Sequence, residues 1–478
     1  MTTKNKERRK RKLEGIFGIS ASESCWEELK WGTSLLQPIR GDKYGGFSIL
    51  TQGKIRREKC NRLVWPLFKE KEKEKEVGPI FREGKMAIGG VGTDYEQPIL
   101  RDEAGIEPFS LVGDVKITNR EEIREKYPYL SGSDLEICAS LASTGKNPVD
   151  KLENIFRNVK GRFCLAMQTP EGVFACRDPW GFHPLSIGRN KKEGICAVAT
   201  ESFVLPENEM EIIRETGRGE IVELNSTGFN CLKQILPEKN PERAALCGFE
   251  YGYGGAPASI FEDIVIWMVR FNLGRKLAQK YGVGAQAAFG FPLSGNSAAE
   301  GCAFESKIPL INVWQYNSQF GRSYLPPLEI ERQEKGRGKL SPIEQVIRLF
   351  WELLGVDDSI VEGNQMMRRL YKILRLMELY HPGKGKVHLR ISCPPKINPC
   401  PLETPFRPKE VLFAANNTKE EMRKKLGVES LEFNTLDDFV ESVKEAQSEE
   451  RKKENPLKTE DLCLCCFTGE DLVKKYFE

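Results

Sequence analysis

The sequence predicts a mixed α/β (α+β) fold whose character changes about halfway along the chain. Up to about Thr227, short apolar runs alternate with turn residues, as in FSILTQG, MAIGGVG, FCLAMQT, GVFACRDP and GEIVELNSTG, which is typical of β-hairpins. Beyond that point, apolar runs alternate with longer helical stretches such as IVIWMVRFNLGRKLAQKY and QMMRRLYKILRLMELY. This alternation predicts βαβ units on a parallel sheet. A chain of 478 residues is long enough for two or three domains.

Shorter segments extend this prediction along the chain. LEICASLAS, which follows Ser133, has helical spacing and a plausible cap. DDFVESVKEAQSEERKKEN is predicted to be a charged helix that leads to the cysteine-rich DLCLCCFTGED. Lys69 to Glu76 alternate in sign, and we interpret them as a solvated surface insertion, with a charged helix or ribbon as the alternative. The basic start MTTKNKERRKRK is interpreted as a solvated, disordered tail rather than a contact for nucleic acid or an acidic partner.

Composition and charge exclude several classes of protein. The net charge is only +3, from 72 basic and 69 acidic residues, so no strong field favours nucleic acid. The sequence contains no run of ~18 apolar residues, so a membrane span is not expected. The basic amino terminus is not followed by an apolar stretch, so it does not resemble a secretory signal. We therefore expect a cytoplasmic protein of ordinary globular composition.

Cysteine is the residue type that points to a special site. The chain has 14 cysteines and 3 histidines. Disulfides are not expected in a long cytosolic chain, so clustered thiols indicate metal or cluster binding, or buried apolar positions. Cys463 and Cys466 form a C-x-x-C with Cys465 between them, a spacing that lets two thiolates reach one metal or cluster. The histidines stand outside any nucleophile motif: His183, His381 and His388.

Four of these cysteines match a known cluster site. The tail CLCCFTG is similar to the C-x-x-C-F-T-G ending of the cluster-bearing glutamine phosphoribosylpyrophosphate (PRPP) amidotransferases. NPC after RISCPP resembles the segment of that family's third ligand, and CGFEYGYGGAPAS resembles that of the fourth. The resemblance implies that four cysteines hold a [4Fe–4S] cluster: Cys247, Cys400, Cys463 and Cys466. The cluster would clip the carboxy-terminal tail to the second domain and to the domain junction. A zinc site or buried free thiols are the alternatives, and Cys465 is expected to be a neighbour rather than a ligand.

The resemblance extends over nearly the whole chain. GRFCLAMQTPEGVFACRDPWGFHPLSIG is similar to the family's G-x-F-S-L…R-D-P-x-G-x-R-P-L stretch, and LLGVDDSIVEGNQ resembles its PRPP-binding loop. The implied fold is an N-terminal-nucleophile αββα sandwich followed by a type I phosphoribosyltransferase-like domain. The expected division is a basic leader 1–13, an amidotransferase-like domain 14–235, a phosphoribosyltransferase-like domain 236–440 and a cysteine-bearing tail 441–478.

The glutaminase nucleophile of the family is missing. In the family, the cysteine that opens C-G-V-F-G-I is the mature amino terminus; its thiolate attacks the glutamine amide and its α-amine is the base. Here the motif reads EGIFGI, so Glu14 occupies that position, and thirteen residues precede it. A carboxylate has no comparable nucleophilicity, and without a nucleophile self-cleavage of the leader has no obvious chemistry. Cys25 is expected inside the following helix and does not replace it.

The supporting residues of that site are also changed. The family's oxyanion hole uses the asparagine and glycine of H-N-G-N, whereas this chain has Gly113-Asp114-Val115-Lys116. Asp114 would put negative charge where an anion must form. The arginine of H-V-R-Y, which clamps the substrate carboxylate, falls at Gly92. Asp134 and Arg40 remain from the glutamine-binding set, so the sequence predicts no glutaminase.

The PRPP loop is only partly kept. By resemblance, Asp357 and Asp358 match the acids that bind the ribose hydroxyls, with Ser359 beside them, and Gly363 keeps the tight turn of the phosphate cradle. Glu362 replaces a basic residue, while Asn364 and Gln365 replace two threonines. An acid beside the cradle opposes an anionic ligand.

Cations elsewhere in the PRPP site are reduced in number. Leu293 stands where the family's P-x-D-S-G has aspartate, and Glu344 stands where an arginine is expected. Tyr316 and Ser318 replace a lysine and an arginine that face the pyrophosphate. Arg322 and Lys339 survive. PRPP needs Mg²⁺ and a ring of cations, so tight binding is not expected and the retained acids are interpreted as inherited scaffold.

The sequence thus predicts a pseudoenzyme that keeps the fold and the cluster and acts as a structural or regulatory homologue. One alternative is a transferase that makes phosphoribosylamine from PRPP and free ammonia, with Mg²⁺ if PRPP is bound. Others are a redox- or oxygen-sensing cluster protein and a protein with an altered ligand in the remodelled pockets. By resemblance the chain self-associates as a homo-oligomer, or it assembles with another protein.

Overall fold

The computed structural model describes residues 14–41, 44–74, 78–92, 97–317, 340–403 and 406–478. The predictions for the leader 1–13 and for Ser318, Arg322 and Lys339 fall outside these residues. In the part of the chain that is described, no helix is both long and apolar enough to cross a membrane.

The first half of the chain forms two antiparallel sheets. One sheet has the strand order Glu211–Glu215, Ser186–Asn190, Ile195–Ala199, Gly15–Ala21, Met86–Gly92, Tyr44–Thr51 and Lys54–Cys60. The other has the order Gly228–Gln234, Glu220–Asn225, Val173–Arg177, Gly161–Gln168, Phe109–Ile117 and Ile99–Arg101. Each apolar run that was predicted to be a strand lies in one of these sheets, so the β-rich prediction for this half is confirmed.

Alternating side chains of these strands build an αββα sandwich. Ile16 lies in the core between the two sheets, whereas its neighbour Phe17 packs on the outer side with Trp26 of the helix Trp26–Arg40. The outer face of the second sheet is covered by two helices, Asp134–Ala142 and Pro148–Asn158. The first strand, which follows Glu14, is therefore central in its sheet and buried on both faces.

The second half contains a parallel sheet, as the alternation predicted. Its strands run in the order Ala287–Gly290, Glu352–Asp357, Lys386–Ile391 and Ser430–Phe433. Leu353 packs with the helix Asn364–Tyr380 on one face, and Leu354 packs with the helices Ile266–Tyr281 and Asn296–Ser306 on the other. Short strand pairs complete the described sheets: Leu246–Cys247 with Leu462–Cys463, Ile260–Phe261 with Ile264–Val265, and Trp314–Tyr316 with Leu340–Pro342.

Further helices lie between these elements. Among the described residues, the remaining α-helices are Val64–Lys73, Gly78–Phe81, Arg120–Lys126, Glu344–Ile347, Lys419–Leu426, Leu436–Glu445, Glu449–Glu454, Cys465–Thr468 and Leu472–Tyr476. A π-helical turn spans Glu250–Gly254, and 3₁₀ turns span Ser202–Val204, Pro206–Asn208, Lys409–Val411 and Thr459–Asp461. The predicted cap at Ser133 is confirmed, because its hydroxyl accepts a hydrogen bond from the Glu136 amide and Glu136 accepts one from the Ser133 amide.

Three local predictions need correction. The described part of Lys69–Glu76 follows the charged-helix alternative: it continues the helix Val64–Lys73, which leaves Lys69 and Lys73 exposed but places Glu72 beside Lys30, with 2.7 Å between Oε1 and Nζ. Cys25 stands at the N-cap position of the following helix, without a side-chain capping bond, rather than inside it. The charged helix near the carboxy terminus is two helices, which Ser448 separates by capping the second. The domain boundaries stay a prediction; the one placed after residue 440 falls within the helix Leu436–Glu445.

The carboxy-terminal tail returns to the junction between the two halves. Leu462–Cys463 pairs in parallel with Leu246–Cys247, and the amide of Cys247 donates to the carbonyl of Phe182 at 3.0 Å. Tyr476 packs on Trp180 and Phe182 from the sandwich. The tail therefore contacts both halves at the place where the cysteines gather.

Candidate functional site

Four cysteines line one cavity at this junction. The cavity has a volume of about 80 Å³, and Cys247, Cys400, Cys463 and Cys466 all contribute to its wall. Cys247 lies in a short strand, Cys400 in a loop, Cys463 in the tail strand that pairs with the first, and Cys466 in the short helix that follows. The structure thus brings together the four cysteines that the sequence singled out.

Backbone hydrogen bonds fix the loop that carries Cys400. The carbonyl of Cys466 accepts from the amides of Ile397 and Asn398, at 3.0 and 3.1 Å. The side-chain amide of Asn398 donates to the carbonyl of Glu470 at 2.9 Å. These bonds hold the NPC segment against the tail, so that two ligand segments form one side of the cavity.

Burial is the largest cause of the raised pKa at three of the four thiols, Cys247, Cys400 and Cys466. It raises the pKa of Cys247 to about 12 and also raises the pKa of Cys400 and Cys466, while Lys396 opposes the rise at the last two. The pKa of Cys463 is raised by its hydrogen bond with Cys465 and by burial. Four buried thiols facing one cavity are stabilised as thiolates only when a positive centre compensates them, which suits a metal group.

The described residues contain no group of three or more His, Cys, Asp or Glu side chains that could hold a single metal ion. The four thiols instead surround a cavity, and four cysteine ligands around a shared volume are the donor set of a [4Fe–4S] cluster. The type and number of the donors therefore match those of such a cluster. Cys465 is not in the wall of this cavity; it packs in an apolar cluster with Trp180 and Tyr476.

A buried charge network connects this cavity to Asp114. Arg162 and His183 both line the cavity, and both contact the Asp114 carboxylate, at 2.5 Å from the guanidinium and 2.9 Å from Nδ1. Burial would raise the pKa of Asp114, but Arg162 and then His183 hold it below its ordinary value. Asp114 is thus an anion that is compensated by the Arg162 guanidinium and also contacts the His183 ring.

Glu14 lies against the same strand. Its side chain is 8% exposed, and its Oε2 accepts a hydrogen bond from the Val115 amide at 3.4 Å. Val115 stands at the glycine of the family's H-N-G-N. The amide that would face a developing oxyanion in that alignment therefore already faces a carboxylate of the chain itself.

The two retained residues of the glutamine-binding set have partners within the protein. Arg40 is 1% exposed and forms ion pairs with Glu201 and Glu250, at 2.7 and 2.8 Å. Asp134 accepts from Arg120 at 2.5 Å and from the Ile117 amide at 3.3 Å.

Sequence reasoning missed Arg162 and His183. His183 takes the place of the arginine in the R-D-P-x-G-x-R-P-L motif, and that substitution was a usable signal. Arg162 stands at a variable position of G-x-F-S-L, so no motif could have revealed it.

The acids of the PRPP loop lie at the carboxyl end of the strand Glu352–Asp357. Asp357 and Asp358 are each 3% exposed, and Ser359 donates a short hydrogen bond to the Asp358 carboxylate. Burial and the neighbouring Asp358 raise the pKa of Asp357, while Arg369, at 3.4 Å, opposes the rise. Ligands bind at this edge of open α/β sheets.

The turn that follows is built around Gly363. Its φ is +80°, and a Cβ there would come within 3.0 Å of the Phe413 ring. The helix Asn364–Tyr380 begins directly after it without a side-chain cap. The expectation that Glu362 opposes an anion needs revision, because Arg407 Nε lies 2.7 Å from its Oε1 and balances the charge.

Three other substituted positions of the PRPP site carry no positive charge. Leu293 is 63% exposed and carries no charge. Tyr316 ends the strand Trp314–Tyr316. Glu344 accepts a hydrogen bond from the Tyr380 hydroxyl. None of these three side chains supplies a cation for a pyrophosphate.

Comparisons with known proteins identify the family and the fold that the chain resembles. A family profile described as a glutamine amidotransferase domain matches residues 86–206. An amidophosphoribosyltransferase of Methanocaldococcus jannaschii is 30% identical over 489 residues, covering 97% of this chain and 98% of that protein. One from Bacillus subtilis is 28% identical over 465 residues, covering 95% and 93%.

A solved structure gives the same result. The glutamine PRPP amidotransferase from B. subtilis, complexed with ADP and GMP, is 28% identical with a TM-score of 0.80, covering 95% of this chain and 96% of that one. The predicted fold class is thereby confirmed: an N-terminal-nucleophile-type sandwich followed by a phosphoribosyltransferase-like domain.

Proposed function

Because the chain belongs to the amidophosphoribosyltransferase family, we propose that it is a cluster-bearing member that has lost glutaminase activity and serves a structural or regulatory role. The observation that carries the first part is the hydrogen bond from the Val115 amide to Glu14. A fixed carboxylate at the nucleophile position repels the oxyanion that glutamine hydrolysis must form. Arg162 and His183 further commit Asp114 to a protein ion pair.

We place a [4Fe–4S] cluster on Cys247, Cys400, Cys463 and Cys466. When bound, the cluster supplies a covalent clip that joins the tail to the domain junction. The chain itself supplies the thiol ligands, an apolar wall on the side of Leu402 and Leu472, and the cations Arg162 and Lys396. These cations compensate part of the negative charge that thiolate ligands bring into a buried site.

The proposal includes weak PRPP binding. Leu293 and Tyr316 offer no charge to Mg²⁺ or to the pyrophosphate. Burial and the neighbouring Asp358 raise the pKa of Asp357, so the retained acids do not make up for the missing cations.

A second candidate is a transferase that uses free ammonia. The ion pair between Arg407 and Glu362 favours it, because it removes the repulsion expected beside the phosphate loop. Asp357, Asp358 and Gly363 keep the backbone and acids of that loop.

One set of assays separates these functions. Anaerobically purified, iron-loaded protein is titrated calorimetrically with Mg·PRPP, and pyrophosphate release is then measured with glutamine or with ammonium. The pseudoenzyme predicts no release with either nitrogen source. Release with ammonium that is lost in Asp358→Asn establishes the ammonia-dependent transferase. Release with glutamine refutes both functions.

Assembly is also part of the proposal. By family membership we propose a homo-oligomer, with assembly onto another protein as the alternative. Light scattering of the purified chain decides between them, since a multiple of 54.2 kDa supports self-association and a monomer contradicts it.

A further inference from the structure

A row of alternating charges connects the cysteine cavity to the PRPP loop. Lys396 lies in the wall of the cavity beside Cys400 and Cys466, and its Nζ is 2.5 Å from Glu403 Oε2. The other oxygen of Glu403 is 3.0 Å from Arg407, whose Nε contacts Glu362 at 2.7 Å. We call this row the charge relay: Lys396, Glu403, Arg407 and Glu362.

The relay is buried along most of its length. The side chains of Lys396, Glu403 and Arg407 are 2%, 12% and 13% exposed, and only Glu362 reaches solvent, at 41%. Ion pairs in such surroundings are screened little by salt, and each link fixes the geometry of the next. The relay therefore differs from the exposed pairs on the same domain, such as Arg423 with Glu420.

Three of its members share one segment with a cluster ligand. Lys396, Glu403 and Arg407 flank Cys400 in the sequence, and the Ile397 amide is bonded to the Cys466 carbonyl. A cluster bound through Cys400 would thus fix Lys396 and Glu403 on its two sides, and the ion pair of Glu403 with Arg407 would pass this position on to Glu362.

Next to Glu362, at the far end of the relay, the turn is held by backbone hydrogen bonds and by an aromatic ring. The Phe413 amide donates to the Val361 carbonyl at 2.8 Å, and the Phe413 ring packs under Gly363. The Met367 amide donates to the Gly363 carbonyl at 2.9 Å in the first turn of the next helix. Hydrogen exchange at the Met367 and Phe413 amides therefore reports whether residues 361–363 keep their position.

We infer that the charge relay couples the cluster to the PRPP loop, with Arg407 as the positioning residue that holds Glu362 and Gly363 when the cluster is bound. This inference rests on the proposed cluster. It gives the tail cysteines an effect on the second site, beyond bracing the fold.

The test compares hydrogen–deuterium exchange in iron-loaded and chelator-stripped protein. Peptides spanning residues 364–370 and 406–417 cover the Met367 and Phe413 amides. Loading is expected to slow their exchange about tenfold. In Glu403→Gln, iron content stays as in the wild type but the exchange no longer depends on loading, whereas the matched control Glu420→Gln behaves as the wild type.

Two further outcomes keep the inference separate from the proposed cluster. Arg407→Gln leaves the Lys396–Glu403 pair intact and should give the same loss of coupling, even if Glu403→Gln loads poorly. The relay alone is overturned if wild-type protein holds its full iron content but its exchange does not depend on loading. It is also overturned if the exchange in Arg407→Gln still depends on loading. Wild-type protein that binds no iron refutes the cluster and the inference together.

Discussion

The Glu14 carboxylate lies 3.4 Å from the Val115 amide and accepts its hydrogen bond. The residue at the nucleophile position thus occupies the donor that a reaction intermediate would need. Replacing only the nucleophile would not clear this site, because Asp114, the residue before Val115, is itself locked between Arg162 and His183. The proposed loss of glutaminase therefore rests on several contacts and not on the nucleophile position alone.

We expect that restoring a cysteine does not restore glutamine hydrolysis. In a variant that lacks residues 1–13 and carries Glu14→Cys at its amino terminus, a thiolate and a free amine are present. Asp114 is held by Arg162 and His183 and has no N–H group to offer the oxyanion, and Gly92 still provides no clamp for the substrate carboxylate. Glutamate release should stay at the level of the buffer blank, and the mass of the intact variant checks that its amino terminus is correctly processed. Release that saturates with glutamine would show that the site is intact.

Breaking the buried pair of Asp114 and Arg162 should destabilise the protein. Arg162→Met leaves an anion that is 3% exposed without its guanidinium, a change that typically costs about 3–5 kcal/mol. The double variant Arg162→Met with Asp114→Asn should recover much of this loss, because no buried charge then lacks a partner. Urea unfolding of iron-stripped protein measures both, with Lys419→Gln, which breaks an exposed pair with Glu432, as the control. Equal stability of Arg162→Met and Lys419→Gln would contradict the structural role.

The segments with clear periodicity were predictable from the sequence, and the charge networks were not. Strands such as Tyr44–Thr51 and the helix Asn364–Tyr380 follow from the local spacing of apolar residues, which burial enforces. The four cavity cysteines were found through motifs that retain their spacing. Ion pairs carry no such local signal.

Two pairs show why the site was harder to predict. Asp114 and Arg162 are 48 positions apart, and Glu362 and Arg407 are 45 apart. Each acid by itself predicts an uncompensated charge, and only the tertiary fold supplies the cation. For Glu362 the cation removes the expected repulsion of an anionic ligand, whereas for Asp114 it replaces a bare charge by a fixed ion pair.

We expect a specific pH dependence of stability from Glu215. Burial raises the pKa of this carboxyl from about 4.5 to about 7, with Glu262 adding to the rise and Arg177 opposing it. Between these values the folded state binds a proton that the unfolded state has released. The free energy of unfolding should therefore fall as pH rises from about 4.5 to about 7, by at most about 1.4 kcal/mol per pH unit from this group.

The variant Glu215→Gln isolates that contribution. Glutamine can keep an acceptor for the Leu185 amide and a partner for the Ser186 hydroxyl, but it cannot titrate. Urea unfolding at a series of pH values should give a flatter profile for the variant across this window. Parallel profiles for the two proteins would mean that Glu215 is ionised throughout.

The last expectation separates ligands from neighbours among the tail thiols. Cys400→Ser removes a thiol from the wall of the cavity and should lower iron content well below the four atoms per chain of a complete cluster. Cys465→Ser changes a thiol that lies in the apolar cluster with Trp180 and Tyr476, and should leave the iron content unchanged. Iron and sulfide are measured on anaerobically reconstituted samples, together with the visible absorption band of the cluster. If Cys465→Ser loses iron while Cys400→Ser retains it, the ligand set is wrong; if neither variant differs from a wild type that holds four irons, the cysteine cavity is not where the cluster binds.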